Sequence, residues 1–311
     1  MKRALGASQR EPVPLPGQSR RRLLQACAPV VLAALFGCGG DNPVAPPVQP
    51  TPTPPPPPRV AILSVDGLRP DAIAKAETPN LRGLITRGSH TLEARTIDLS
   101  NTLPSHISML TGYPLSIHRV SWDDYQPSRP ISVPTLFTAT HAQALRSVMV
   151  VGKYKFQHFR DTGHVDTFAV MALGDDDVAN QAIVQTSAPF DLMFVHFPDV
   201  DLAGHSKGWM STTYLEKVAV VDRAIGRVLA ALPAGATVIV TADHGGHGLG
   251  HGTTAREDVT IPWIIAGPGI RKGVTLTTPV VTLDTAATAA RILRIGLPGD
   301  VNGRAVAVAF E

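Results

Sequence analysis

VTADHGGHGLGHG, residues 240–252, decides how the rest of the chain is read. An apolar run over 236–241 carries the chain into a turn bearing one carboxylate, Asp243, and three imidazoles, His244, His247 and His251. Strands usually give way to Gly, Asn or Ser, because a turn has to follow. An adjacent carboxylate and imidazole at the carboxyl end of a strand are instead ligand types that zinc prefers. Open α/β sheets also place their sites just beyond those strand ends. Asp–His pairs occur as ordinary surface turns too, so the stretch takes its meaning from what the rest of the chain supplies.

Two other apolar runs end the same way. Residues 60–65 deliver Asp66 and Gly67, and residues 190–197 end in Pro-Asp-Val-Asp, with Asp201 followed four residues later by His205. That spacing sets a carboxylate and an imidazole one helical turn apart, so both can face a single ion, and Gly204 lets the backbone come close. Further strands are predicted over 147–151 and 261–266. Helices are predicted over 78–86, stopped by Gly88, from about 104, over 134–145, and over 175–186, where acids sit in the first turn as the helix dipole favours. Thr213-x-x-Glu216 reads as a capping box opening a long helix with Leu215, Val218, Ile225, Val228, Leu229 and Leu232 on one face. A last helix over 285–295 closes at Gly296 and Pro298. The alternation predicts an α/β fold, a mostly parallel central sheet with helices on both faces. Such a sheet brings its strand ends to one edge, where ligands distant in sequence can clamp two cations. Each motif alone would also read as a loop salt bridge or a helix cap.

The chain has 311 residues, 44% hydrophobic and 17% charged, which fits a globular protein; the first 58 residues contain little that could form a core. SRRRLLQ (19–25) precedes an apolar run ending at Phe36-Gly37-Cys38. A basic region, a short apolar stretch and a small-residue cleavage site make residues 1–37 an export signal, and the apolar stretch itself is too short for a membrane span of about 20 residues. The paired arginines resemble a twin-arginine signal, and residues 35–38 resemble a lipobox with Cys38 as the lipidated residue. The expectation is an exported protein of the cell envelope or periplasm, held to a membrane by a lipid anchor at Cys38; the alternative is an ordinary signal peptide with an incidental cysteine. Residues 38–58 read as a proline-rich tether, extended as polyproline II, and residues 59–311 as one domain. Cys27 falls in the removed segment, so no disulfide framework is expected. Residues 1–37 hold six Lys/Arg and one acid, leaving 22 basic and 24 acidic side chains beyond them. Nothing in that balance argues for a nucleic-acid-binding surface.

Five stretches occur in an order that resembles the alkaline phosphatase superfamily, and within it the type I phosphodiesterase/nucleotide pyrophosphatase branch. They are ILSVDGLRPD (62–71), NTLPSHISMLTG (101–112), FPDVDLAGH (197–205), ADHGGHG…HG (242–252) and EDVTIPWIIAGPGI (257–270). The resemblance implies an alkaline phosphatase-like fold and two zinc ions. One would be held by Asp66, Thr102, Asp243 and His244, the other by Asp201, His205 and His251, with His247 outside the ligand set. It also implies that Thr102 is the nucleophile, that the substrate is a small phosphate ester, and that the reaction passes through a phosphothreonine. A threonine hydroxyl is a poor nucleophile, and coordination to a dication activates it. Thr102 also opens a helix, whose backbone N–H groups could meet a phosphate; without the metal motifs it would read as a helix cap. A typical sulfatase is excluded, since Thr102 cannot become formylglycine and His106 stands where sulfatases carry an arginine.

The pattern departs from the branch at Asp123, near the position of a phosphate-binding asparagine, where an unpaired carboxylate would repel the substrate. Arg119 could supply the missing charge or be a surface residue. Lys153 and Lys155 are candidate phosphate contacts, although paired lysines after a strand are also ordinary solvated charges; if they point inward, a monoester becomes the better substrate. Trp122 and Tyr125 could stack on a leaving group or simply pack. The expected activity is a two-zinc phosphodiesterase or phosphatase. The alternatives are a phosphonate hydrolase and a catalytically weakened metal- or ligand-binding homologue.

Overall fold

The computed structural model describes residues 58–311. The export signal expected over residues 1–37, the lipobox expected at Cys38 and almost all of the expected tether lie outside the described residues. No helix among the described residues is long and apolar enough to cross a membrane.

Eight strands form one sheet: β1 (Arg59–Val65), β2 (Ser89–Arg95), β3 (Ser147–Val151), β4 (Thr167–Val170), β5 (Leu192–Phe197), β6 (Ala236–Thr241), β7 (Thr260–Ala266) and β8 (Val274–Thr275). Their order is β4-β3-β5-β1-β6-β7-β2-β8. Every pairing is parallel except those of β7 with β6 and with β2. β7 therefore runs against seven strands that share one direction. Successive residues of a strand face opposite sides of the sheet. Val60 through Val65 are nevertheless all fully buried, so β1 is covered on both faces, as parallel sheets require. The edge strand β4 is only half-buried along its length.

Two groups of helices provide the cover. Pro79–Arg87, Asp175–Gln185 and Asp199–Lys207 pack on the long helix Thr212–Ala231, while Thr102–Thr111, Leu136–Ala142 and Asp284–Leu293 pack on one another. The long helix begins earlier than a Thr213 capping box would place it. Ser211 is the cap, and its hydroxyl accepts the Tyr214 N–H at 3.2 Å. The Tyr214 hydroxyl donates in turn to the Gly67 carbonyl at 2.8 Å, so a contact far away in sequence selects among three consecutive hydroxyl residues.

Asp175, in the first turn of its helix, is buried rather than solvated. One carboxylate oxygen accepts the Asp199 N–H at 3.1 Å and the other has no partner. Burial, then the charge of Asp199, push its pKa up to about 8. A carboxyl raised in this way costs nothing below its unfolded pKa near 4 and increasingly destabilises the fold as pH rises towards 8. Asp175→Asn keeps the acceptor and removes the titration. Urea midpoints measured from pH 4 to pH 9 should show the variant gaining on wild type across that window, by a few kcal/mol at the upper end at about 1.4 kcal/mol per unit. Parallel curves would contradict this.

Candidate metal centre and active site

β3, β5, β1 and β6 are neighbours in the sheet, and their carboxyl ends carry the polar cluster in that order: Lys153, then Asp201 with His205, then Asp66, then Asp243 with His244. Asp66 follows β1 directly, its N–H donating to the Phe197 carbonyl at 3.0 Å. Gly67 then turns the chain with φ +70°, and a Cβ there would sit 3.0 Å from the Asp201 backbone. Asp201 and His205 share the helix Asp199–Lys207. His251 returns on the loop after β6.

Two groups of side chains bring ligand atoms within 4.8 Å of one another: Asp66, Asp243 and His244 in one, Asp201, His205 and His251 in the other. The groups abut through the His244 and His251 rings, stacked 3.7 Å apart. Nδ1 of His244, His205 and His251 each meets a main-chain carbonyl, of Gly245 (2.8 Å), Leu249 (3.0 Å) and Ser100 (2.7 Å). That commits the Nδ1 protons and turns every Nε2 lone pair into the cluster. Nε2 of His205 and of His251 approach to 3.1 Å, which is repulsive between neutral rings unless a cation or proton lies between them. Asp66 Oδ1, Asp201 Oδ1, Asp243 Oδ2 and His244 Nε2 are buried with no hydrogen-bond partner. Each such orphan costs about 1–3 kcal/mol, and a carboxylate and imidazole donor set of this kind fits divalent cations such as zinc.

Burial would raise Asp66, but the Lys153 ammonium, the His196 hydrogen bond and the adjacent His244 imidazole hold its carboxyl well below the usual range. Burial, and then the Asp66 charge, push Asp243 up to about 8. Burial would lower His244, yet Asp243 and Asp66 carry it up to about 10, whereas burial and the His244 charge bring His251 down to about 4.

Thr102 is the first residue of its helix and almost fully buried. Its hydroxyl accepts from Lys153 Nζ at 3.3 Å, and the same ammonium lies 2.7 Å from Asp66 Oδ2 and 2.7 Å from Asp201 Oδ2. Lys153 is thus no solvated charge. Burial would lower its pKa, but the two carboxylates hold it above the ordinary lysine value. Lys155 points to Asp123 instead, at 2.6 Å. The other Asp123 oxygen accepts the Leu103 N–H at 2.7 Å. The Asp123 carboxylate is therefore paired, and among the backbone N–H groups at the start of this helix that of Leu103 is already taken.

Other candidates fall away from the cluster. His247 is exposed and bonds Asp258 at 2.7 Å. Arg119 is exposed at the left-handed end of a short helix. Trp122 packs between His158 and Arg129, and the Tyr125 hydroxyl donates to Asp161.

The sequence reading passed over His196 and gave His106 no role at the site. His196 Nε2 meets Asp66 Oδ2 at 2.7 Å; His106 joins Ser64 Oγ (2.8 Å) to the Thr102 carbonyl (2.7 Å). A signal for the first was present: a lone imidazole in the otherwise apolar strand LMFVHF.

The type I phosphodiesterase/nucleotide pyrophosphatase family model matches residues 60–254, more than half of the chain. The chain belongs to this family. Parts of it are also similar in sequence to two curated phosphate-ester mutases. It is 30% identical over 150 residues to a 2,3-bisphosphoglycerate-independent phosphoglycerate mutase of Nostoc punctiforme, covering 44% of this chain and 27% of the relative. It is 32% identical over 108 residues to a phosphopentomutase of Herpetosiphon aurantiacus, covering 34% and 27%. The chain thus spans about a quarter of the length of these curated relatives. Murine ectonucleotide pyrophosphatase/phosphodiesterase 5, solved in an inactive form with AMP, superposes with a TM-score of 0.69 at 14% identity, covering 81% of this chain and all of that one. A 2-O glycosaminoglycan sulfatase superposes with a TM-score of 0.67 at 17% identity, covering 81% and 74%. At those identities the likeness establishes the alkaline phosphatase-like fold and nothing finer.

Proposed function

We propose that this family member hydrolyses small phosphate esters with two zinc ions, one at Asp66, Asp243 and His244 beside Thr102, the other at Asp201, His205 and His251. The observation that carries the reading is the set of four buried, unpartnered ligand atoms gathered beside one threonine hydroxyl. Bound there, the ions supply charge stabilisation to the attacking and leaving oxygens of an in-line displacement. Thr102 Oγ attacks phosphorus, the bond to the leaving alcohol breaks, and water then cleaves the phosphothreonine. Asp123 and Lys155 hold the start of the helix that presents Thr102, and the His106 imidazole holds its carbonyl. Lys153 keeps its positive charge next to the nucleophile.

A phosphate monoester carries one more negative charge than a diester, so an ammonium at this position favours monoesters. The purified chain should hydrolyse p-nitrophenyl phosphate faster than bis-p-nitrophenyl phosphate, and only with zinc. No zinc-dependent hydrolysis of either compound would refute the proposal. Lys153→Ala should lower the monoester rate by roughly 10²-fold, the usual cost of removing one such donor, with a much smaller change for the diester. Equal losses on both substrates would leave Lys153 no part in substrate choice.

A further inference from the structure

We infer that Trp209 is the positioning residue for the second metal group, its indole setting the distance between the two elements that carry His205 and His251. The inference rests on the two-metal reading above. The ring is buried between two glycines. A Cβ on Gly204, in the ligand-bearing helix, would come within 2.6 Å of it, and a Cβ on Gly246, in the ligand-bearing loop, within 2.2 Å. Both positions must lack a side chain for the indole to enter. Its ring centre lies 5.0 Å from that of His205 and 5.8 Å from that of His251, each pair T-shaped, so each imidazole has one wall fixed by the same group. The Trp209 N–H of the main chain donates to the Gly248 carbonyl at 2.9 Å, which ties the helix end to the loop a second time.

The indole Nε1–H donates to the Gly67 carbonyl at 3.0 Å, and the Gly67 N–H donates to Asp243 Oδ1 at 3.1 Å. The spacer of the second group is therefore anchored to a peptide beside the first. Tyr214 holds the same carbonyl independently at 2.8 Å, so loss of the indole leaves the first group supported. Residues that orient metal ligands without touching the metal typically change affinity by about 10–100-fold.

The test is a zinc titration of the full chain against a chromophoric chelator, wild type beside Trp209→Phe, with tryptophan emission followed in both. Wild type should bind two zinc ions, and binding of one of them should change the emission. In Trp209→Phe the emission change should vanish and one ion should bind about 10–100-fold more weakly, while the other changes less than about threefold. Two ions bound by the variant with wild-type affinities would overturn the inference alone. Should the variant fail to fold, the wild-type emission decides, since binding of two ions that leaves it unchanged overturns the inference equally. Fewer than two zinc ions bound by wild type would overturn the two-metal reading, and this inference with it.

Discussion

Thr102→Ala is expected to reduce turnover of either nitrophenyl ester by at least about a thousandfold, the scale seen when a covalent nucleophile is removed, while zinc content stays near two per chain. Both halves follow from what the substitution leaves behind. Three side-chain ligands remain in each group, so the hydroxyl is a minor part of what would hold the ions. The helix also survives, because alanine is a better helix former and the position 102 carbonyl still meets His106 at 2.7 Å. What disappears is the oxygen 3.3 Å from the Lys153 ammonium. Thr102→Ser should keep a measurable fraction of the rate. Turnover of Thr102→Ala within tenfold of wild type would remove the covalent route and leave direct attack by water. Loss of zinc along with activity would instead mean that the hydroxyl matters chiefly as a ligand.

The strands at the centre of the sheet were legible because burial on both faces leaves an uninterrupted apolar run, and each run stops at a polar residue where the carboxyl edge begins. That is why Asp66, Asp201 and Asp243 could be placed at one edge from sequence. The direction of β7 was not legible, since IPWIIA reads as a buried strand whichever way it runs. β4 was missed because a half-buried edge strand of four residues carries little pattern. Lys153 illustrates a different limit. Two residues after a strand, a lysine reads as solvated; it is drawn inward by carboxylates just after β1 and on the helix after β5, which its neighbours in sequence do not announce. Asp123 is a similar case, because its effect on a phosphate depends on Lys155, 32 positions away. Trp209 left only an indirect trace, glycines at 204 and 246 whose purpose becomes visible once the ring between them is seen.

Stripping the protein with a chelator should abolish hydrolysis and lower the melting temperature by roughly 10–30 °C, with both restored by zinc. The stability half follows from linkage. An ion present at 100 to 1,000 times its dissociation constant stabilises the folded state by about 2.7–4.1 kcal/mol per site. In a domain of this size each kcal/mol moves the midpoint by about 2–4 °C. The sign is set by the cluster itself. Three carboxylates, Asp66, Asp201 and Asp243, crowd one sheet edge with Lys153 the ammonium among them, and four of their group's ligand atoms lack any other partner. Removing positive charge from that edge must therefore cost folding energy as well as activity. Asp123→Asn offers the contrast, because Asp123 bonds Lys155 and Leu103 and belongs to neither ligand group, so the chelator-induced shift in its melting temperature should match wild type. A wild-type melting curve that chelation leaves in place would mean that these lone pairs hold nothing, and the hydrolase reading would lose its physical basis.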